Sequence, residues 1–354
     1  MVRTNLPRHP RIAILAVLAA ACVPAHASDT WLKVKGEFFT FTEVREGIWH
    51  AQGTGDVAVG SNGALIVNDV DAMVVDSHMT PAAGRALLED MALVTDKPVR
   101  YLVNTHFHFD HNQGNQAFGP EVEVVAHEWT YHKVKSGGTR SGRAYDYFIG
   151  TLPSRIEAAR ERLAALSDDA SAEERSNLQG RIQAMETLWA QDQETEIVTP
   201  TLMIRESMTL FRGEREIRIF FAGRAHTGGD VLVYLPAERV LVTGDMLPAR
   251  LPYMGDGHLL EWATTLESLE DLEIDVFVPG HGDAFESRDW IGHLQAYLRD
   301  LWQKAAELHA QGVPPAEAAE RIDLTGHSAH YPQIEGPGAS PHAVERVYEL
   351  LDAE

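Results

Sequence analysis

Six consecutive residues, His106-Phe107-His108-Phe109-Asp110-His111, set three imidazoles and one carboxylate close enough to hold a metal ion. Neutral imidazole nitrogens and carboxylate oxygens are the donors that suit zinc and neighbouring divalent metals, so an H-x-H-x-D-H run reads as a metal site. Two more histidines stand in suitable loops. Gly223-Arg224-Ala225-His226-Thr227-Gly228-Gly229-Asp230 places His226 in a glycine-rich loop between two apolar runs, and Pro279-Gly280-His281-Gly282-Asp283 places His281 straight after another. Between them, Val240-Leu241-Val242-Thr243-Gly244-Asp245 ends in a carboxylate. Asp230 and Asp283 stand near these histidines and are candidates for partners that orient a ligand. Singly, each residue has a plainer role: a lone histidine is mostly a packed side chain, and an aspartate after a strand is mostly a turn former. The constellation is what makes them a candidate site.

Ligands need strands to end where they begin. Val99-Arg100-Tyr101-Leu102-Val103-Asn104 is rich in β-branched and aromatic residues and reads as a short buried strand, with His106 just beyond its carboxyl end, where α/β sheets present groups to a crevice. Upstream, Phe38 to Thr42, Gly47 to Gln52, Val57 to Val59, Ala64 to Val67 and Ala72 to Asp76 read as strands separated by Gly, Asn and Asp turns. Pro81 opens a helix to about Val94; a short helix near Asn112 to Ala117 and a strand from Val122 to Ala126 follow the motif. Arg155 to Leu166 and Ala172 to Trp189 carry helical spacing around a polar turn, an αα-hairpin that either packs or acts as a lid over the site. Strands resume at Met208 to Phe211, Ile217 to Ala222, Val231 to Leu235, Val240 to Thr243 and Val276 to Val278. Helices at Trp290 to about Ala310, Pro315 to Arg321 and His342 to Leu351 close the chain. This alternation predicts α/β layering.

At 354 residues and 44% hydrophobic content, the chain can bury a large core. Residues 1–27 read as a signal peptide: Arg3, Arg8 and Arg11 precede the apolar run Ile12 to Cys22, and Ala25-His26-Ala27 is a small-x-small cleavage site with the cut after Ala27. That run is far short of the ~20 residues that span a bilayer, so a periplasmic or secreted protein without stable membrane insertion is expected. The single cysteine, Cys22, lies in the presequence, so the mature chain has neither a disulfide nor a thiolate ligand. The formal charge of -22 falls to -25 when those three arginines are lost. Such a charge repels phosphate backbones and anionic lipid surfaces, which excludes a nucleic-acid partner and leaves a small-molecule substrate.

The motifs THFHFDH, AHTGGD, VTGD and PGHGD occur in this order between Val44 and Phe285 and resemble those of the metallo-β-lactamase superfamily. The resemblance implies a four-layer αββα sandwich over 28–290 with a two-metal site at one edge of its sheets. A helical-hairpin insertion at about 128–198 and a C-terminal helical extension over 291–354 would elaborate it. It implies that His106, His108 and His226 hold the first metal, that Asp110, His111 and His281 hold the second, and that Asp245 bridges them. Lacking a cysteine ligand, the chain is unlike the thiolate-using lactamases; a bridging Asp245 resembles the glyoxalase II and lactonase arrangement. Zinc fits the donors, as do iron and manganese, and two such cations lower the pKa of a shared water to about 7, with Asp110 as the catalytic residue that orients the hydroxide.

The function expected is therefore that of an exported dinuclear metal-dependent hydrolase whose metal-bound hydroxide attacks a carbonyl substrate: a lactone, ester, thioester or β-lactam. Asp245 would neutralise charge where a lactam nitrogen anion forms, which favours substrates with oxygen or sulfur leaving groups. The alternatives are a β-lactam-hydrolysing resistance enzyme proper, a sulfur- or quinoprotein-linked accessory metalloprotein of the same fold, and a non-catalytic binding protein with a relic site. Seven intact ligand positions argue against the last. Substrate choice falls to the loops Ala51 to Gly60, Tyr131 to Thr151 and Leu247 to Leu259. Their Tyr145, Tyr147, Phe148 and Tyr253 suit an apolar pocket wall or packing of the insertion. His78, His127 and His258 are candidates for the pocket rim.

Overall fold

Alternating apolar residues build the two sheets at the centre of the molecule. The computed structural model describes residues 31–55, 57–167 and 169–353; the expected presequence, with Cys22 and Ala27, lies outside them. The first sheet contains β1 (Leu32–Lys35), β2 (Phe39–Arg45), β3 (Ile48–Gly53), β4 (Gly63–Val67), β5 (Ala72–Val75), β6 (Val99–Val103), β7 (Glu123–His127) and β8 (Leu202–Ile204) in that order. Its first five strands pair antiparallel and its last four, β5 to β8, parallel. The second sheet contains β9 (Ser207–Arg212), β10 (Arg215–Phe221), β11 (Val231–Leu235), β12 (Val240–Gly244) and β13 (Val276–Pro279), antiparallel except for the pair β12 and β13.

Side chains at every second position face each other across the sandwich: Ile48, Ile66, Met73, Val75 and Val103 of the first sheet meet Ile219, Val233, Val242 and Val278 of the second. The intervening positions face outward and are covered by helices. Leu65, Val74 and Leu102 pack against Ala86, Leu87 and Met91 of helix α1 (Pro81–Met91). Helices α2 (Phe109–Asn112), α3 (Glu128–Lys135), α4 (Arg143–Tyr145), α5 (Leu152–Ala164) and α6 (Ala172–Gln193) follow in the chain. On the far side Leu232, Leu241 and Phe277 are buried with Trp262 of α7 (Leu259–Thr265), Leu294, Leu298 and Leu301 of α8 (Asp289–Ala310), Ala318 of α9 (Pro315–Arg321) and Val344 and Val347 of α10 (Pro341–Asp352). The layering is αββα.

Most expected elements are present, with shifts that have local causes. Thr80 caps α1, its Oγ1 accepting from Ala83 N at 3.1 Å, and Pro81 fits the first turn; the helix stops at Met91, short of Val94. Val57 to Val59 is not a strand. The chain there lies between Gly55 and Gly60, both at positive φ, and folds into a loop whose valines are only half-buried. Strands β1 and β8 were not anticipated, because both are short and sit at the edges of their sheet. The hairpin exists as α5 and α6, and Ser171 caps the second helix by accepting from Glu174 N at 3.0 Å.

Candidate metal centre

Every expected ligand lies beyond a strand's carboxyl end, along one edge of the sandwich. Strand β6 delivers His106 and His108, and the short α2 behind it delivers Asp110 and His111. The loop from β10 to β11 carries His226, the end of β12 carries Asp245, and the end of β13 carries His281. The close approach at the ends of the parallel strands β12 and β13 needs glycine: a Cβ at Gly280 would collide with Asp245 Oδ1 and His111 Cε1. Gly244, at φ +50, likewise lies against Thr105.

Two clusters of donors result. In the first, His106 Nε2 and His226 Nε2 each lie 3.0 Å from His108 Nδ1. Three imidazoles converge with their rings nearly perpendicular to one another. Nitrogens bound about 2.0–2.1 Å from a tetrahedral zinc stand roughly 3.3 Å apart, so this spacing is close to what an ion requires. Burial pushes His226 down to about 3 and His106 well below the usual histidine range, which leaves neutral rings able to ligate. In the second, His281 Nε2 lies 3.3 Å from Asp110 Oδ2 and 3.2 Å from Asp245 Oδ2, and His111 Nε2 lies 3.6 Å from Asp110 and 3.4 Å from Asp245 Oδ1. Asp245 Oδ2 also reaches His226 Nε2 at 3.5 Å, which places this carboxylate between the clusters.

The electrostatics of the second cluster call for a cation. Burial opposes charge on His111, but Asp110, Asp245 and Asp76 around it raise its pKa well above the usual value. His281 is raised to about 9 against burial by Asp245 and Asp110. Burial alone would raise Asp110, yet His111 and His281 hold it down to about 2. A bound divalent ion satisfies the same carboxylates in place of those protons. His111 Nε2 and Asp245 Oδ1 are buried with no hydrogen-bond partner among the described residues, and such atoms facing a common point fit a metal.

Two residues that sequence reasoning missed hold the ligands in place. Asp76, left-handed at φ +62 just beyond β5, accepts from Thr105 N, from Thr105 Oγ1 and from His111 Nδ1, each at 2.8 Å. It is buried, and burial pushes its pKa up against the pull of His111 and Thr105. It follows a strand as Asp245 does, the signal that was available in the sequence. Asp256 Oδ2 lies 3.1 Å from His108 Nε2; nothing in its local sequence, Gly255-Asp256-Gly257, marks it.

The two candidates for orienting partners separate. Asp230 closes its own loop by accepting from Thr227 N at 2.7 Å and Thr227 Oγ1 at 2.9 Å, steadying the turn that carries His226. Asp283 is exposed and accepts from Gln52 Nε2 at 3.0 Å; it makes no hydrogen bond to His281. None of the rim candidates reaches the cavity. His78 is buried with Nδ1 3.0 Å from Ser61 O, His127 caps α3 through Trp129 N, and His258 is half-buried at the start of α7.

A cavity of about 340 Å3 opens over the second cluster, with Asp110, Asp245 and His281 on one side and Met79, Phe109, Phe148, Ile149, Leu188, Leu251 and Tyr253 around it. Phe148 and Ile149 come from a π-helical turn, Asp146–Gly150, and Leu188 from α6, so the insertion walls the cavity. Tyr145 instead packs, its hydroxyl donating to Asp192 Oδ2 at 2.8 Å, and Tyr147 lies exposed against His342.

This arrangement matches known proteins. A family model described as the metallo-beta-lactamase superfamily covers residues 57–281. The chain is 26% identical over 302 residues to a linear primary-alkylsulfatase of Pseudomonas sp. (strain ATCC 19151), covering 78% of this chain and 53% of that one; it thus spans about half the length of that relative. It is 29% identical over 76 residues to a metallo-beta-lactamase type 2 of Bacillus sp. (strain 170), 20% of this chain and 30% of the other. Among solved structures, the stereoselective inverting sec-alkylsulfatase of Pseudomonas sp. superposes with a TM-score of 0.60 at 16% identity, over 88% of this chain and 50% of that one. A metallo-beta-lactamase of Erythrobacter litoralis gives 0.52 at 17% identity, over 76% and 100%. The two structures share the fold, and the family match over most of the chain, motif residues included, identifies this protein as a member of the metallo-beta-lactamase superfamily of metal-dependent hydrolases.

Proposed function

We propose that the chain is an exported dinuclear metal hydrolase acting on a carboxylic ester, lactone or thioester with an apolar body. The observation that carries this reading is the cavity, whose walls are mostly apolar and whose polar groups gather where Asp110, Asp245 and His281 meet, with His108 and Arg250 also on its lining. Such a pocket binds by burying the hydrocarbon part of a substrate and leaves its polar linkage beside the carboxylates and imidazoles. Two divalent ions, zinc by donor type, would supply an acidified water and polarise the substrate oxygen. Asp110 stays ionised at neutral pH and can accept a hydrogen bond from the attacking water, fixing its direction. Tyr253 contributes to the cavity wall, with its hydroxyl buried close to Gly255.

A second reading, hydrolysis of a linear alkyl sulfate, is favoured by one feature. Arg250 lines the same cavity and has no ion pair or hydrogen bond among the described residues, so its guanidinium is available to a sulfate's oxygens, in keeping with the long similarity to an alkylsulfatase. The deciding measurement is kcat/KM for an aryl ester, an acyl lactone, a glutathione thioester, a linear alkyl sulfate and a chromogenic cephalosporin under one metal condition. The carbonyl substrates with oxygen or sulfur leaving groups should exceed the cephalosporin tenfold, about 1.4 kcal/mol of transition-state preference. An alkyl sulfate tenfold above them all would install the second reading. Export predicts a native protein that begins at Ser28, which mass spectrometry of the extracted chain reads directly.

A further inference from the structure

Asp256 is placed by residues far from it in sequence. The carboxylate accepts from His108 Nε2, so the ring's other nitrogen, Nδ1, turns its lone pair toward His106 and His226. Yet Asp256 lies between Gly255 and Gly257, and a Gly-Asp-Gly segment has no preference of its own for one conformation. Its neighbours are pinned from outside. Arg143 of α4 donates from Nη1 to Gly255 O at 2.6 Å, and Arg346 of α10 donates from Nε to Gly257 O at 2.8 Å. Glu349, one turn beyond Arg346, pairs with both guanidinium groups: Arg346 Nη1 at 3.2 Å from its Oε2, and Arg143 at its Oε1. The residues flanking Asp256 are therefore held by one group from the insertion and one from the C-terminal helix, tied to each other by a shared carboxylate.

We propose that Arg143, Arg346 and Glu349 form a brace that positions Asp256, and through it the ring of His108, so that the insertion and the C-terminal helix set the metal affinity of the first cluster. The brace rests on the reading of that cluster as a metal site. Arg143, Arg346 and Glu349 are not among the residues that line the cavity, and none belongs to the second cluster. They are positioning residues, and their loss changes how tightly a metal is held before it changes how a substrate is turned over.

The test is competition of zinc or cobalt against a chromophoric chelator, with the cobalt spectrum following the first cluster, on the full chain and on Asp256→Ala, Arg346→Ala, Arg346→Lys and Glu349→Ala. Asp256→Ala should weaken one of two metals about 10–100-fold, the range for losing a partner that orients a ligand. Arg346→Ala and Glu349→Ala should weaken the same metal several-fold, and Arg346→Lys, which keeps a donor for Gly257 O, should recover most of the loss. Chelator-stripped Arg346→Ala should melt at the temperature of the stripped parent, since a purely structural role would lower it. Unchanged metal affinity in both Arg346→Ala and Glu349→Ala beside a weakened Asp256→Ala overturns the brace. Failure of the parent to bind metal overturns the reading beneath it instead. If Arg346→Ala does not fold, Arg346→Lys and Glu349→Ala carry the comparison, and equal affinity in both refutes the proposal.

Discussion

A single carboxylate serves three donors at Asp76, and this makes it the residue with the largest expected effect outside the ligands. Replacing it by alanine leaves the Thr105 N–H, the Thr105 hydroxyl and the His111 Nδ1 buried without their acceptor. Losing a buried partner costs roughly 1–3 kcal/mol for each group, with partial relief by rearrangement, so Asp76→Ala should lose about 3 kcal/mol in chemical denaturation and bind metal at least tenfold more weakly. Asp110→Asn is a sharper probe of chemistry. The amide keeps the volume and some of the ligating capacity but loses the charge, so kcat should fall by two orders of magnitude or more, even where elemental analysis still finds metal. Equal activity would remove Asp110 from the mechanism. By the same logic His106→Ala or His226→Ala should empty the first cluster and spare the second.

Among the elements, the insertion both packs on its own apolar residues and walls the cavity. Helix α6 and the π-helical turn put Leu188, Phe148 and Ile149 on the cavity wall, while Ile156, Leu178 and Ile182 are buried along α5 and α6. Its apolar contact with the site is through a cluster containing Met79 and Phe109, away from the sandwich interior. Trimming the wall should therefore alter binding with little change in folding. Phe148→Ala or Leu188→Ala should lower kcat/KM for a long-chain substrate roughly 5–30-fold, the equivalent of 1–2 kcal/mol of lost apolar contact, and leave a short-chain substrate nearly unchanged. A uniform loss across chain lengths would mean that the wall holds the catalytic groups and not the substrate.

At the scale of the molecule, the centre ties both sheets together: His106, His108 and the α2 residues come from the first sheet, and His226, Asp245 and His281 from the second. A metal bound at 1,000 times its dissociation constant adds about 4 kcal/mol to stability, provided it binds only the folded chain. Elemental analysis should find about two divalent metals per chain, and a chelator should lower the melting temperature by several degrees, reversibly on adding zinc back. Less than one firmly held metal would end the dinuclear reading.

What the sequence determined by itself was the chemistry and its address. Residue type fixes the donors, and short runs of β-branched and apolar residues fix that His106, Asp245 and His281 all follow strand ends, because those are local properties of the chain. The strand and helix pattern also carried α/β layering, and the resemblance of the motifs carried the four αββα layers. Tertiary structure decided the rest. Asp256 lies 148 residues from His108 in sequence and Asp76 35 from His111, so although Asp76 follows a strand end, no local pattern says which histidine either would meet. Tyr145 and Phe148 are both aromatic and three positions apart, yet one packs and the other walls the cavity, since a turn's direction is set by what it packs against. Asp230 and Asp283 both follow a histidine within a glycine-containing loop and part company for the same reason: one folds back onto its own loop, and the other faces solvent.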